Sequence, residues 1–108
     1  MKNNDLMTVE YTELDNGCPA LCFCSDLISP ITNKTLAKSF CNFIDNDLKF
    51  KIVGLKLQKV MLTFVEPDLI EIQGKIDKTY YLMGYANIND LYRAMKQVVN
   101  TLETRNEN

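Results

Sequence analysis

Three short segments of alternating apolar and polar residues, at about 55–65, 69–76 and 79–85, constrain the fold of this 108-residue chain most strongly. Such alternation is typical of β-strands that bury one face. The connections between the segments are so short that neighbouring strands must pair antiparallel. The sequence therefore predicts a three-stranded antiparallel unit in the second half of the chain.

The lengths of the two connections predict the register of this unit. A two-residue turn at Asp77 and Lys78 places Gly74 opposite Tyr81, and a three-residue loop at 66–68 places Val60 opposite Gly74. A slip of one residue would turn every side chain to the other face, so only these lengths keep the apolar residues together. The predicted core face carries Val60, Leu62, Phe64, Ile70, Ile72, Tyr81, Met83 and Tyr85.

The opposite face of the same strands is not uniformly polar. Its predicted members are Lys59, Met61, Thr63, Glu71, Gln73, Lys75, Tyr80 and Leu82. Lys59 and Lys75 stand opposite each other, and like charges in that position destabilise a sheet by roughly a few tenths of a kcal/mol. An unfavourable pair beside apolar side chains can indicate a surface that binds an anion or a partner. We therefore predict a binding surface formed by Lys59, Met61, Gln73, Lys75, Tyr80 and Leu82.

The remaining sequence predicts two further strands and two helices. Residues 8–14 alternate, and the turn Asp15-Asn16-Gly17 connects them to a second strand at about 20–28. A helix capped by Thr32 or Asn33 follows. The last helix begins after Asn87, and its apolar residues recur at three- and four-residue spacing: Ile88, Leu91, Tyr92, Met95, Val98, Val99 and Leu102.

These elements predict an α+β fold in the order ββαβββα, with an antiparallel sheet of about five strands and two helices packed on one face. The chain length is near the commonest domain size. We therefore expect a single domain over residues 1–108, with flexible ends at 1–6 and 104–108.

The sequence contains no histidine. This excludes mechanisms that depend on imidazole and metal sites with a histidine ligand. Asp45 and Asp47 fall at the predicted end of a helix, and Glu66 and Asp68 flank a turn proline, so these acids have structural explanations. We therefore expect no catalytic residue, no enzymatic activity and no cofactor.

Four cysteines, at positions 18, 22, 24 and 41, leave one metal-binding alternative open. Cys22, Cys24 and Cys41 would form a zinc-stabilised domain only if the chain bends to bring them together, and their spacing departs from the usual zinc knuckle. A straight strand would separate Cys18 from Cys24 by about 20 Å. We favour the interpretation that Cys22, Cys24 and Cys41 pack as small core residues.

Charge is distributed unevenly, although the net charge is only −2. Residues 48–65 contain four lysines and no acid, whereas both flanking regions are acidic. Basic residues beside aromatic ones can bind nucleic acid through phosphate contact and base stacking. Lys56, Lys59, Lys75 and Tyr80 therefore form an alternative site for nucleic acid or another polyanion, although the acidic total argues against it.

Together these features predict a small non-enzymatic protein-interaction module. Its outer sheet face would bind a protein partner, or a second copy of the chain as a homodimer. No secretory signal and no membrane segment is recognisable, so we expect a cytoplasmic protein with no membrane contact. Ten lysines against two arginines, with eleven asparagines, are typical of AT-rich genomes, and so of low-GC bacteria and their phages. A regulator, an adaptor or a phage-encoded inhibitor would each fit.

Overall fold

The computed structural model describes residues 6–24, 27–48, 53–66 and 68–106. The first strands are β1 (Val9–Glu13), β2 (Pro19–Phe23) and β3 (Leu27–Pro30), and helix α1 (Lys34–Asp45) follows them. The second half contains β4 (Gly54–Lys56), β5 (Val60–Glu66), β6 (Leu69–Ile76), β7 (Thr79–Asn87) and helix α2 (Ile88–Asn106). The paired strands are antiparallel. The predicted α+β class is confirmed, and the elements follow the predicted order with two additional strands.

The strands form two sheets, where the sequence had predicted a single sheet of about five strands. In the described part of the chain, one sheet has the order β1-β2-β3 and the other has the order β4-β5-β6-β7. The predicted strand at 20–28 is interrupted at Cys24, whose φ of 55° lies in the left-handed region that extended strands avoid. The predicted strand at 55–65 folds into a hairpin, in which the Leu57 amide donates to the Val60 carbonyl at 2.8 Å.

The predicted register is confirmed where β5 meets β6 and at the turn between β6 and β7. Val60 pairs with Gly74 and Leu62 pairs with Ile72. Gly74 pairs with Tyr81 across the hairpin that turns at residues 77 and 78. Side-chain alternation and the turn at 77–78 therefore predict these pairings correctly. The predicted three-residue loop at 66–68 is wrong, because Glu66 still pairs with Leu69 after an irregularity between Phe64 and Glu66.

Part of the predicted core face is wrong because β7 contains a β-bulge. Because β7 contains one extra residue at the bulge, Ile72 pairs with Gly84 and Glu71 pairs with Tyr85. Tyr85 therefore lies on the outer face of the sheet and not in the core. Its hydroxyl donates a hydrogen bond to the Glu71 carboxylate at 3.4 Å.

The hairpin of β6 and β7 extends beyond the core, so the predicted burial of Tyr81 and Met83 is wrong. Tyr81 keeps its predicted partner, yet 51% of its surface is exposed. Met83 lies against Gly74 and is 39% exposed, and Ile76 near the turn is 53% exposed. The predicted apolar face is thus only partly covered.

Both helices begin at predicted capping residues. The Asn33 side chain accepts a hydrogen bond from the Leu36 amide at 3.0 Å and caps α1. The Asn87 side chain accepts from the Asn89 amide at 2.7 Å at the start of α2. Such contacts satisfy amide groups that the first turn of a helix leaves without a partner.

The two sheets are also connected by hydrogen bonds from backbone amides. The Met7 amide, which precedes β1, donates to the Tyr85 carbonyl of β7 at 2.7 Å. The Lys59 amide, in the turn between β4 and β5, donates to the Ser29 hydroxyl of β3 at 3.2 Å. These bonds join the first sheet to β7 and to the turn between β4 and β5 of the second.

One hydrophobic cluster contains residues from both helices and from the inner faces of both sheets. Helix α2 packs against α1, β1, β2 and β7, and Phe40 of α1 contacts Phe64 of β5 with ring centroids 6.1 Å apart. The large, fully buried side chains include Leu21, Phe23, Phe40, Leu62, Ile70, Ile72, Leu91, Met95 and Val98. No helix in the described chain is long and apolar enough to cross a membrane.

Candidate functional site on the outer face of the four-stranded sheet

The outer face of β4 to β7 has a central row that crosses all four strands. The row forms because Lys56 pairs with Met61, Met61 with Gln73, and Gln73 with Leu82. Met61 is half-buried among its neighbours, whereas Leu82 is 57% exposed. The central row therefore presents two apolar side chains on either side of an amide.

A second row, which we call the lysine row, contains Lys59, Lys75 and Tyr80 and lies two residues closer to the turn between β6 and β7. Lys75 pairs with Tyr80, and the Lys75 amide donates to the Lys59 carbonyl at 2.9 Å. The Lys75 ammonium is 5.9 Å from the centroid of the Tyr80 ring, within cation–π range. The structure thus brings all six residues of the predicted binding surface onto one face, together with Lys56 of the polyanion alternative.

A third row, which we call the glutamate row, lies on the other side of the central row and contains Thr63, Glu71 and Tyr85. The Glu71 carboxylate accepts hydrogen bonds from the Gln73 side chain at 3.1 Å and from the Tyr85 hydroxyl at 3.4 Å. Tyr85 was not predicted on this face because side-chain alternation alone does not indicate the bulge in β7. The one local signal was Gly84, since a glycine inside a strand is typical of bulges and of close backbone approach.

Among the described residues, the lysines of this face lack the carboxylate neighbours that four cations on the helices have. Four cations on the helices lie near carboxylates, in the pairs Lys38–Glu103 at 2.9 Å, Arg93–Asp90 at 3.4 Å, Lys96–Asp45 at 3.8 Å and Arg105–Glu13 at 2.8 Å. Lys56, Lys59 and Lys75 have no such ion pair with any described residue. Positive charge on this face is therefore not neutralised by a neighbouring carboxylate.

Tyr80 carries a polar group without a partner. Its hydroxyl oxygen is shielded from solvent and makes no hydrogen bond to any residue of the described chain. A shielded hydroxyl in that state destabilises a fold by about 1–3 kcal/mol. A hydrogen-bond acceptor supplied from outside the chain would remove this penalty.

The cysteines are not arranged as a metal site. Cys41 is buried in α1, whereas Cys24 is exposed beyond the end of β2, and the Cys22 thiol donates to the Cys24 carbonyl at 2.8 Å. Among the described residues, no three His, Cys, Asp or Glu side chains lie close enough together to hold a metal ion. The three cysteines of the zinc alternative are thus not brought together. The prediction of a core position is confirmed for Cys41. It is wrong for Cys24, because the chain turns out of the strand there, and for Cys22, which is half-buried and lies outside the hydrophobic cluster.

A separate apolar groove lies between α1 and β4. Its volume is about 450 Å³, and its apolar lining comes from Leu36, Phe40, Phe43, Val53 and Leu55. The other residues of its lining are asparagine, threonine, serine and glycine, so the described part of the groove contains no acid or base. It therefore has none of the groups that general acid–base catalysis requires.

Comparison of the chain with protein-family models, with curated proteins and with solved structures gives no match. Functional inference therefore depends on the chemistry of the outer face, which has lysines at one end, an apolar centre and a carboxylate at the other end.

Proposed function

We propose that this chain is a non-enzymatic protein-interaction module whose outer sheet face binds a protein surface that carries carboxylates. The observation behind the proposal is that Lys59 and Lys75 are adjacent and have no ion pair with a described residue. Two lysines opposite each other on adjacent strands repel, and a partner's carboxylate close to them would replace this repulsion with attraction.

The apolar centre of the face supplies the second element that a protein interface needs. Met61 and Leu82 lie in the central row, and Tyr80 lies beside them in the lysine row. Protein interfaces typically place apolar and aromatic side chains at the centre and charged groups at the rim. The Tyr80 hydroxyl would gain an acceptor if a partner carboxylate displaced the atoms that shield it.

Nucleic acid or another polyanion is the second candidate, because Lys56, Lys59, Lys75 and Tyr80 lie on one face. Two observations favour a protein partner instead. Lys75 lies over the Tyr80 ring and limits base stacking on that side. Glu71 lies on the same face, and a phosphate backbone that crossed the sheet would meet its charge.

We place the action of this module in the cytoplasm, where its four thiols would stay reduced. A regulator, an adaptor and a phage-encoded inhibitor would each use a surface of this kind. The proposal concerns the surface and the chemistry of its partner, which are common to all three roles.

A selection of displayed random peptides on the full chain tests the proposal. We expect the selected peptides to combine Asp or Glu with apolar residues. Their dissociation constants should rise by about tenfold or more on Lys75→Glu and on Leu82→Asp, as expected for residues central to an interface.

Two variants outside the face serve as matched controls. Arg93→Glu makes the same charge change at a side chain that is 73% exposed, and Val53→Asp makes the same polar change at a residue that is 80% exposed. Both should leave binding within about twofold of the original chain. Peptides that bind equally well to the face variants would overturn the proposal. Tighter binding of oligonucleotides, with an affinity that falls steeply with salt, would replace it with the polyanion alternative.

A further inference from the structure

The charges on the outer face are arranged symmetrically about its central row. Along β6, Gln73 lies in the central row, Lys75 lies two residues to one side, and Glu71 lies two residues to the other. Four residues of a strand span about 13 Å, so Lys75 and Glu71 cannot form an ion pair within one chain. The face therefore carries Lys59 and Lys75 on one side of the central row and Glu71 on the other.

The aromatic side chains follow the same symmetry on β7. Tyr80 pairs with Lys75 in the lysine row, and Tyr85 pairs with Glu71 in the glutamate row. The bulge in β7 is the reason that Tyr85 pairs with Glu71 on the outer face, since a regular strand would place Tyr85 on the predicted core face. On β5, Thr63 in the glutamate row stands at the position that corresponds to Lys59 in the lysine row.

We propose that the occupant of this face is a second copy of the chain, packed sheet against sheet around a two-fold axis that runs along the central row. This inference rests on the proposed function and names its partner. The two-fold rotation reverses the strand direction, so Lys75 meets the partner's Glu71 and Glu71 meets the partner's Lys75. Met61 and Leu82 meet their own counterparts at the centre.

A second copy fits this face better than a partner of one charge sign. A uniformly acidic surface would be repelled by Glu71, and a uniformly basic one would be repelled by Lys59 and Lys75. A two-fold interface needs a surface that is complementary to itself, and the opposite charges on the two sides of the central row meet that requirement. Lys56 would face its own counterpart, but it lies on the edge strand β4. Packed sheets rotate by about 30° relative to each other, which separates their edges.

The size of the face indicates how tightly two copies would bind. Three strands spaced about 4.8 Å apart over about six residues each, with the three residues of β4, cover a flat area of about 330 Å² per copy. Projecting side chains increase the accessible area above this value, toward the lower end of the range for specific interfaces, near 600 Å² per partner. We therefore expect a reversible dimer that dissociates on dilution.

Sedimentation of the full chain over a wide concentration range, combined with charge exchange, tests this arrangement. The original chain should dimerise as its concentration rises. Lys75→Glu and Glu71→Lys should each weaken dimerisation by more than about tenfold, because each creates two repulsive pairs. An equimolar mixture of the two variants should form a heterodimer, since both facing pairs between positions 71 and 75 are then attractive. The double variant with both substitutions should dimerise again.

Recovery in the mixture and in the double variant also shows that the substituted chains fold. Arg93→Glu should dimerise like the original chain. A chain that stays monomeric at all concentrations would overturn the proposed dimer. A dimer whose affinity is unchanged by Lys75→Glu and by Glu71→Lys would also overturn it. If selected peptides still require Lys75 and Leu82 in that case, the proposed function stands and only the identity of the partner is wrong.

Discussion

The Tyr92 hydroxyl donates a hydrogen bond to the Asp45 carboxylate and so joins α2 to the last turn of α1. The same carboxylate lies 3.8 Å from the Lys96 ammonium, which is 5.6 Å from the centroid of the Tyr92 ring. The hydrogen bond to Asp45 raises the pKa of Tyr92 above its ordinary value of 10.0. The charge of Asp45 raises the pKa of Lys96 above 10.5. One carboxylate therefore holds two protonated groups of the neighbouring helix.

This cluster predicts a specific loss of stability in alkaline solution. A group whose pKa is raised by folding stabilises the fold below its unfolded pKa and loses that effect as the pH rises through the folded value. The contributions of Tyr92 and Lys96 should therefore be complete below about pH 10 and decline above it. Asp45→Asn should lower the melting temperature at pH 8 and reduce the further decrease above about pH 10.

Thermal melts across this pH range provide the measurement, with Glu10→Gln as the control. That substitution removes the same charge from an exposed strand residue, outside the contact between the helices. It should leave the pH dependence of the melting temperature unchanged. Parallel curves for Asp45→Asn and the original chain would contradict the prediction.

Two glycines of the four-stranded sheet should respond differently to the same added methyl group. A Cβ at Gly54 would lie 2.7 Å from the Leu62 carbonyl oxygen, which belongs to the backbone of the neighbouring strand. A Cβ at Gly74 would lie 2.8 Å from the terminal methyl of Met83, which is partly exposed and can rotate away. We expect Gly54→Ala to reduce the free energy of unfolding by about 1–3 kcal/mol and Gly74→Ala by less than about 1 kcal/mol. Urea denaturation of the two variants measures the difference, and equal losses would show that this explanation is wrong.

The four thiols should differ in their rates of alkylation. Burial raises the pKa of Cys41 to about 11, so only about one thiol in a thousand is ionised at pH 8, and the thiolate is the reactive form. Cys24 is exposed. Iodoacetamide followed by peptide mass spectrometry should therefore find Cys24 modified before Cys41 in the folded chain. The difference should disappear in urea, and modification of Cys41 as fast as Cys24 without denaturant would contradict the assignment.

The candidate site could be predicted from the sequence to the extent that it depends on local geometry. The two-residue turn at 77–78 and the loop before β6 determine the pairing of Val60 with Gly74 and of Gly74 with Tyr81. Side-chain alternation then places Met61, Gln73 and Lys75 on one face. These pairings and side-chain directions involve only strands that follow each other in the sequence. A short segment of the chain is therefore enough to predict them.

Other parts of the site depend on interactions between distant segments. The bulge in β7 places Gly84 beside Met7, where a Cβ would lie 2.6 Å from the Met7 sulfur, and this packing against the N-terminal segment has no local signal except the glycine itself. The same bulge moves Tyr85 beside Glu71. Tyr81 was assigned to the correct side of its strand but is exposed, and the alternation of residues along β7 does not indicate this.

The sequence by itself therefore determined the antiparallel pairing in the second half of the chain and the membership of Lys59, Met61, Gln73, Lys75, Tyr80 and Leu82 in one face. Only the tertiary structure decided that the strands divide into two sheets, that Tyr85 joins Glu71 outside the core, and that Tyr81 and Met83 are exposed. The physical reason is that side-chain direction follows from the backbone geometry of a few consecutive residues. Burial depends instead on which distant elements lie against that face.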